Sequence, residues 1–160
     1  MGDYGDMEIR RVNKEDNEVI DFLIKECLKL YLQLYPESLS LWNGPYYDRL
    51  LQNSRKEFIT AMTENPIIYA AYDEDIIIGC GFIDDTGYLH SLFVKEEYRN
   101  QQIGTKVLER LIEDCSDFDI IRVDARVDAV SLYEKFSFQK TGFQNQHSIP
   151  MQLERSHYGK

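Results

Sequence analysis

Apolar positions along the chain follow two rhythms, and the change from one to the other lays out the elements. Over 18–35, Val19, Ile20, Phe22, Leu23, Cys27, Leu28, Leu30, Tyr31 and Leu34 recur every three or four residues, which predicts a helix with one buried face. Asn13 offers an N-cap ahead of it, Glu15 and Asp16 put negative charge where a first turn exposes unpaired N–H groups, and Pro36 ends it. A loop over 37–47 with Trp42, Gly44 and Pro45 leads to a second helical stretch over 46–64, with Leu50, Leu51, Phe58, Ile59 and Met62 on its apolar side.

The rhythm then shortens. Residues 7–12 have strand character, and the β-branched runs 67–72 and 76–83 flank Asp73-Glu74-Asp75 as a hairpin. After the turn Asp84-Asp85-Thr86-Gly87, a strand over 88–94 completes a three-stranded antiparallel meander. The polar loop KEEYRNQQ feeds a helix GTKVLERLIEDC whose Val107, Leu108, Leu111 and Ile112 share a face. A strand over 119–126, a short helix over 128–136 and a strand over 138–143 follow. Antiparallel strands first and alternating strands and helices later predict an α/β fold on a mixed sheet.

Composition narrows the classes. The 160 residues are 43% hydrophobic and 29% charged, the balance of one folded domain spanning 1–160, with flexible tails expected at 1–6 and 155–160. Lys and Arg total 18 against 28 Asp and Glu, and the resulting charge of −10 repels polyanions such as nucleic acid while favouring cations such as amines. Cys27, Cys80 and Cys115 are an odd, widely spaced set without a CxxC pair, which fits a reducing compartment better than a disulfide framework. With no apolar leader and no membrane-length run, a soluble cytoplasmic protein without membrane partners is expected.

The chemistry sits in HSLFVKEEYRNQQIGTKVLERL. A strand feeding a tight loop and a helix N-terminus builds an anion site, because the first turn leaves about four N–H donors unpaired. Gly104 would let the backbone approach a phosphate closely, and Thr105 adds a hydroxyl. By itself one glycine also suits a plain helix start, with Arg99 a solvated side chain.

The stretch Arg99-Asn100-Gln101-Gln102-Ile103-Gly104, after Tyr98, resembles the cofactor motif of the GNAT family of N-acetyltransferases, Arg/Gln-x-x-Gly-x-Gly/Ala, with Gln102 in place of the first glycine. About thirty residues on, VDARVDAVSLYEKFSF is similar to the family's closing segment through Ala129, Leu132, Tyr133, Glu134, Lys135 and Phe138. Ser137 replaces the usual glycine and Arg126 stands where many members have Asn; TGFQNQHSIPMQLE resembles the terminal strands of a bacterial branch. The likeness, to small single-domain bacterial members, runs over 7–154.

The resemblance implies a GNAT-like sheet, mostly antiparallel, splayed between its fourth and fifth strands and flanked by about four helices. It implies acetyl-CoA as co-substrate, no metal, and direct transfer of the acetyl group to a primary amine of a small molecule or protein. The pantetheine amides would pair with the main chain of Leu92 and Val94, the pyrophosphate would face the N–H groups of Asn100, Gln101, Gln102, Ile103, Gly104 and Thr105, with Arg99 beside them, and Phe93 or Val94 N–H would polarise the thioester carbonyl. Gln102 either keeps negative φ or reshapes the loop.

Tyr133 matches the family's general acid, and His90, whose type titrates near neutrality, is the candidate base. Tyr88 occupies the place of a Glu base in other members, Asp124 lies on the next strand, and His147 and His157 are lesser candidates. Trp42, Tyr46, Tyr47, Asp48, Asp84 and Asp85 are either an acceptor pocket for a cation or packing and turn residues, and stay outside the catalytic set. Two competing readings are a non-catalytic acyl-CoA-binding or regulatory domain and a scaffold that binds no nucleotide. The exposed edge near Phe143 makes a homodimer available.

Overall fold

A computed structural model of the protein describes residues 7–37 and 44–155, leaving aside the side chains of 44–47 and Ser91. Seven strands, β1 (Met7–Val12), β2 (Ile67–Asp73), β3 (Ile76–Ile83), β4 (Tyr88–Val94), β5 (Ile120–Arg126), β6 (Gln139–Lys140) and β7 (Ser148–Glu154), form one sheet in the order β1-β2-β3-β4-β5-β7-β6. Every pairing is antiparallel except β4 with β5. The expected three-stranded meander is therefore four strands, β1 having joined its outer edge.

Helices cover both faces. α1 (Asn17–Leu34) and α2 (Gly44–Met62) pack on one, where Val19, Ile20, Leu23, Met62, Ile68, Ala70, Cys80 and Phe82 make a core. α3 (Ile103–Asp114) and α4 (Val130–Lys135) lie on the other over Tyr69, Ala71, Ile78, Leu89, Val123 and Met151. β2 and β3 are thus buried on both faces, as their unbroken apolar runs require. β5 alternates instead: Ile121, Val123 and Ala125 are buried in the α3-side core, while Ile120, Arg122 and Asp124 are exposed on the opposite face, the one that carries α1 and α2.

Several boundaries move for local reasons. Asp16, not Asn13, caps α1, accepting from the N–H groups of Glu18 and Val19; Asn13 takes the Glu15 N–H and its carbonyl closes a turn onto Asp16 N–H, one step too early to start the helix. A 3-10 turn over Val127–Ala129 precedes α4, replacing the first part of the expected helix. The strand foreseen over 138–143 shrinks to Gln139–Lys140, because the chain turns away at Gly142, where a Cβ would lie 2.9 Å from the Pro150 ring. Phe143, 98% exposed, is therefore in a loop and not on a strand edge. Arg155 belongs to the folded body and not to a tail, its N–H donating to the Asp119 carbonyl and its Nη1 to that of Ile112.

Candidate functional site

Two local features open the sheet between β4 and β5. Register along β3 and β4 shifts so that Phe82 opposes Ser91 and Ile83 opposes Leu89, leaving His90 as the extra residue of a β-bulge. A bulge bends its strand and strengthens its twist. Beyond it β4 leaves β5: the two pair only at Tyr88↔Arg122 and Leu89↔Val123, though β4 runs to Val94 and β5 to Arg126. Strict alternation would put His90 and Leu92 on one face, whereas the bulge places His90 with Phe82 on the α1/α2 face and Leu92 with the α3 core.

The wedge has unpaired main chain along one wall. Lys95 N–H donates to the Ile78 carbonyl at 2.8 Å, so Lys95 faces β3. By alternation in an antiparallel ladder, the polar groups of Val94 and Leu92 point the other way, into the wedge.

At the wide end stands the N-terminus of α3. Gln102 is its N-cap residue, no side chain caps the helix, and Lys106 N–H to the Gln102 carbonyl is its first intrahelical bond. The amides of Ile103, Gly104 and Thr105 are left as donors, where the macrodipole adds about half a positive charge. The preceding loop is tied to the sheet by Tyr98, whose hydroxyl donates to Asp73 Oδ2 at 2.6 Å. Asn100 and Gln102 both adopt left-handed backbone, φ 64° and 63°, so Gln102 takes the positive φ of the glycine it replaces and not the negative φ open to it.

Between β4, α3 and α4 lies a cavity of about 450 Å³ lined by Leu92, Phe93, Val94, Arg99, Asn100, Gln102, Ile103, Gly104, Thr105 and Tyr133. Gln101 is not among its lining residues; its side-chain amide donates to the Glu97 carbonyl. A Cβ on Gly104 would make ordinary contacts with Val94 and Leu132, 3.7 and 3.8 Å away, so the protein's own packing does not demand glycine there. Gly79 is different: α3 approaches so closely that a Cβ would sit 3.1 Å from Ile103 Cγ2. Arg126, unexpected from the motif, also lines the cavity and pairs with Asp128 at 2.7 Å.

Tyr133 sits at this cavity, 5% exposed, with no hydrogen-bond partner for its hydroxyl among the described residues. Burial drives its pKa far above the usual phenol value; the Arg126 guanidinium offsets part of this and the Tyr88 phenol adds to it, so the group keeps its proton. Its position is locked by the end of α4. Ser137 N–H bonds to the Glu134 carbonyl and Phe138 N–H to that of Tyr133, a Schellman closure with Ser137 in the left-handed conformation, φ 73°. The accompanying apolar contact is Phe138 edge-on to Tyr133, ring centroids 5.4 Å apart.

His90 opens elsewhere, into a cavity of about 260 Å³ between α1 and α2 with Ile24, Cys27, Leu28, Ser54, Glu57, Phe58 and Phe82. The two candidate catalytic residues thus border different cavities. His90 Nε2 meets Asp84 Oδ2 at 2.6 Å, and Tyr88 donates its hydroxyl to Asp124 at 2.9 Å. Burial and the Asp124 carboxylate push the Tyr88 pKa up to about 12.

Of the other expected residues, Asp85 is a structural link, accepting Asn65 N–H while its own N–H reaches Thr63 Oγ1. Asp48 is exposed on α2, and His147, whose buried Nε2 has no partner among the described residues, packs edge-on to Tyr35. Trp42, His157 and the side chains of Tyr46 and Tyr47 lie outside the described residues. Sequence reasoning missed the Asp84–His90 pair, whose signal is the tight turn that brings the residue after Ile83 beside the bulge. Among the described residues no helix is long and apolar enough to cross a membrane, and no group of three His, Cys, Asp or Glu side chains is gathered as a metal ligand set.

The mixed sheet, splayed between β4 and β5 beside the uncapped N-terminus of α3, is an α/β acyltransferase-type fold, and residues 43–154 match the acetyltransferase (GNAT) domain. The chain belongs to the GNAT acetyltransferase family. Similar solved structures include a protein from Pyrococcus horikoshii OT3 (TM-score 0.68, 21% identity, 92% of this chain and 98% of that one). PaiA N-acetyltransferase from Thermoplasma acidophilum in complex with coenzyme A has TM-score 0.65 at 17% identity over 92% and 98% of the two chains. A GNAT-family acetyltransferase from Staphylococcus aureus Mu50 has TM-score 0.60 at 17% identity over the same shares. No curated protein matches the sequence.

Proposed function

We propose that the protein is an N-acetyltransferase that takes acetyl-CoA as co-substrate and passes the acetyl group directly to a primary amine. The observation that carries this reading is the wedge between β4 and β5, with unpaired main chain on one wall, uncapped amides of α3 at its wide end and the unpartnered Tyr133 hydroxyl at the adjoining cavity. The coenzyme A complex of the similar PaiA enzyme supports it.

The residues present fit the coenzyme. N–H groups of Ile103, Gly104 and Thr105 match the oxygens of a pyrophosphate, and Arg99, exposed at the rim, adds a charge-assisted contact. The space left by the missing Gly104 side chain keeps that approach clear. Leu92 and Val94 offer main-chain partners to the pantetheine amides, and Tyr133, held protonated, supplies a proton to the departing thiolate. The acceptor approaches from the α1/α2 face, where His90 opens and β5 exposes Arg122 and Asp124.

Mixing the protein with acetyl-CoA and a panel of primary amines, while following thiol release, tests the reading. Turnover is expected with at least one amine; Tyr133→Phe is expected to lower kcat by about 10²-fold with calorimetric coenzyme A affinity unchanged. Tight coenzyme binding without turnover on any amine would favour the non-catalytic acyl-CoA-binding alternative, and no binding at all would sink both.

A further inference from the structure

Asp84 is held more firmly than a turn residue needs. It follows β3 directly, is 8% exposed, and its Oδ1 accepts three donors: Thr86 N–H at 2.8 Å, Thr86 Oγ1 at 2.6 Å and Tyr88 N–H at 3.2 Å. Those bonds complete the turn. Oδ2 contributes nothing to it and is aimed at His90 Nε2, 2.6 Å away. Burial raises the Asp84 pKa, but the hydrogen bonds from Thr86, His90 and Tyr88 outweigh it, so the group is a carboxylate.

The imidazole is fixed on its other sides as well. Phe82 stacks on it at 5.0 Å with 12° between planes, and Tyr88 meets it edge-on at 4.7 Å. An ionised carboxylate only accepts, so the proton of the neutral ring is on Nε2, and the lone pair is on Nδ1. Nδ1 has no partner among the described residues, and the ring lines the cavity between α1 and α2, whose other titratable walls are Cys27 and Glu57.

We infer that Asp84 is a positioning residue that holds His90 as the Nε2–H tautomer, so that Nδ1 is the atom that takes the proton of the acceptor ammonium. This rests on the acetyl-transfer reading. In the step, an N–H bond of the ammonium breaks and its proton goes to Nδ1, giving an imidazolium paired with Asp84. The freed amine lone pair forms the C–N bond to the thioester carbonyl. On collapse the C–S bond breaks, the thiolate takes the Tyr133 proton, the nitrogen's second proton passes to solvent as Tyr133 recovers one from it, and the imidazolium then releases its proton to solvent, restoring neutral His90. The balance is ammonium plus acetyl thioester giving amide, thiol and one proton.

Asp84→Asn is the test. The carboxamide it introduces can still accept the turn's N–H groups through its oxygen, but it would turn an NH₂ toward Nε2 and so select the Nδ1–H tautomer. Expected are a switch of the ¹⁵N-detected His90 imidazole pattern from Nε2–H to Nδ1–H and a fall in kcat of about 10²-fold or more, with coenzyme A affinity unchanged. In a His90→Gln background the same substitution is expected to cost nothing further. An Nδ1–H ring in the wild type, an unchanged kcat in Asp84→Asn, or an equal loss without His90 would each overturn the inference. The wild-type tautomer is read without any variant, so poor folding of Asp84→Asn still leaves a decisive measurement. A wild type that turns over no amine would fail the acetyl-transfer reading while the tautomer pattern still reported on the pair.

Discussion

Gln102 and Ser137 stand where the family resemblance places glycines, and both keep the backbone that a glycine would adopt, φ 63° and 73°. Left-handed backbone costs an ordinary residue roughly 1–2 kcal/mol, while glycine loses roughly 0.5–1 kcal/mol more chain entropy on folding. The net effect of Gln102→Gly or Ser137→Gly is therefore expected to be between neutral and about 1.5 kcal/mol of stabilisation by urea unfolding. Destabilisation by more than about 1 kcal/mol would mean that the side chains make contacts worth more than the strain. What a glycine at 102 supplies beyond its backbone is access, and Gln102 is an exposed residue among those that line the cavity.

At the scale of elements, α3 does two jobs at opposite ends. Ile103, Val107, Leu108, Leu111 and Ile112 are at most 1% exposed and hold it on β2 and β3, while its first turn stays open toward the cavity. Asp114 near its end accepts the Tyr69 hydroxyl and the Arg11 guanidinium, pinning the helix to the meander. Leu111→Ala is expected to cost about 2–5 kcal/mol of stability, because a close-packed site relaxes only partly around a deletion. Calorimetry on the folded variant is expected to give unchanged coenzyme A affinity, since Leu111 lies toward the far end of the helix from the donor amides. Loss of affinity in step with stability would show the two ends to be coupled.

For the molecule as a whole, charge is divided by function. The chain carries −10, yet Arg99, Arg126 and Lys135 line the cavity assigned to the anionic coenzyme, with Asp128, paired to Arg126, the one acid among its described lining residues, while Glu57 and the Asp84–His90 pair mark the cavity assigned to the amine. A negative field concentrates cations near the surface and is screened over about 30 Å at 0.01 M salt but about 10 Å at 0.1 M. KM for a cationic amine is therefore expected to rise with ionic strength while kcat holds, measured by steady-state kinetics at saturating acetyl-CoA. A KM indifferent to salt would place recognition in short-range contacts alone.

Much of this was legible from local pattern. The periodicities of α1, α3 and the strands from Ile67 to Val94, and the loop from Arg99 to Thr105, follow from spacing and turn chemistry, which act between residues close in sequence. The resemblance added the roles expected of Tyr133 and His90. Only the tertiary structure decided what depends on strand register: the bulge at His90, the parting of β4 from β5, the insertion of β7 between β5 and β6, and the meeting of Asp84 with His90. A one-residue shift in pairing is nearly invisible in composition, yet it turns side chains to the other face of a sheet, and that is why the wedge and the carboxylate beside it had to be seen in three dimensions.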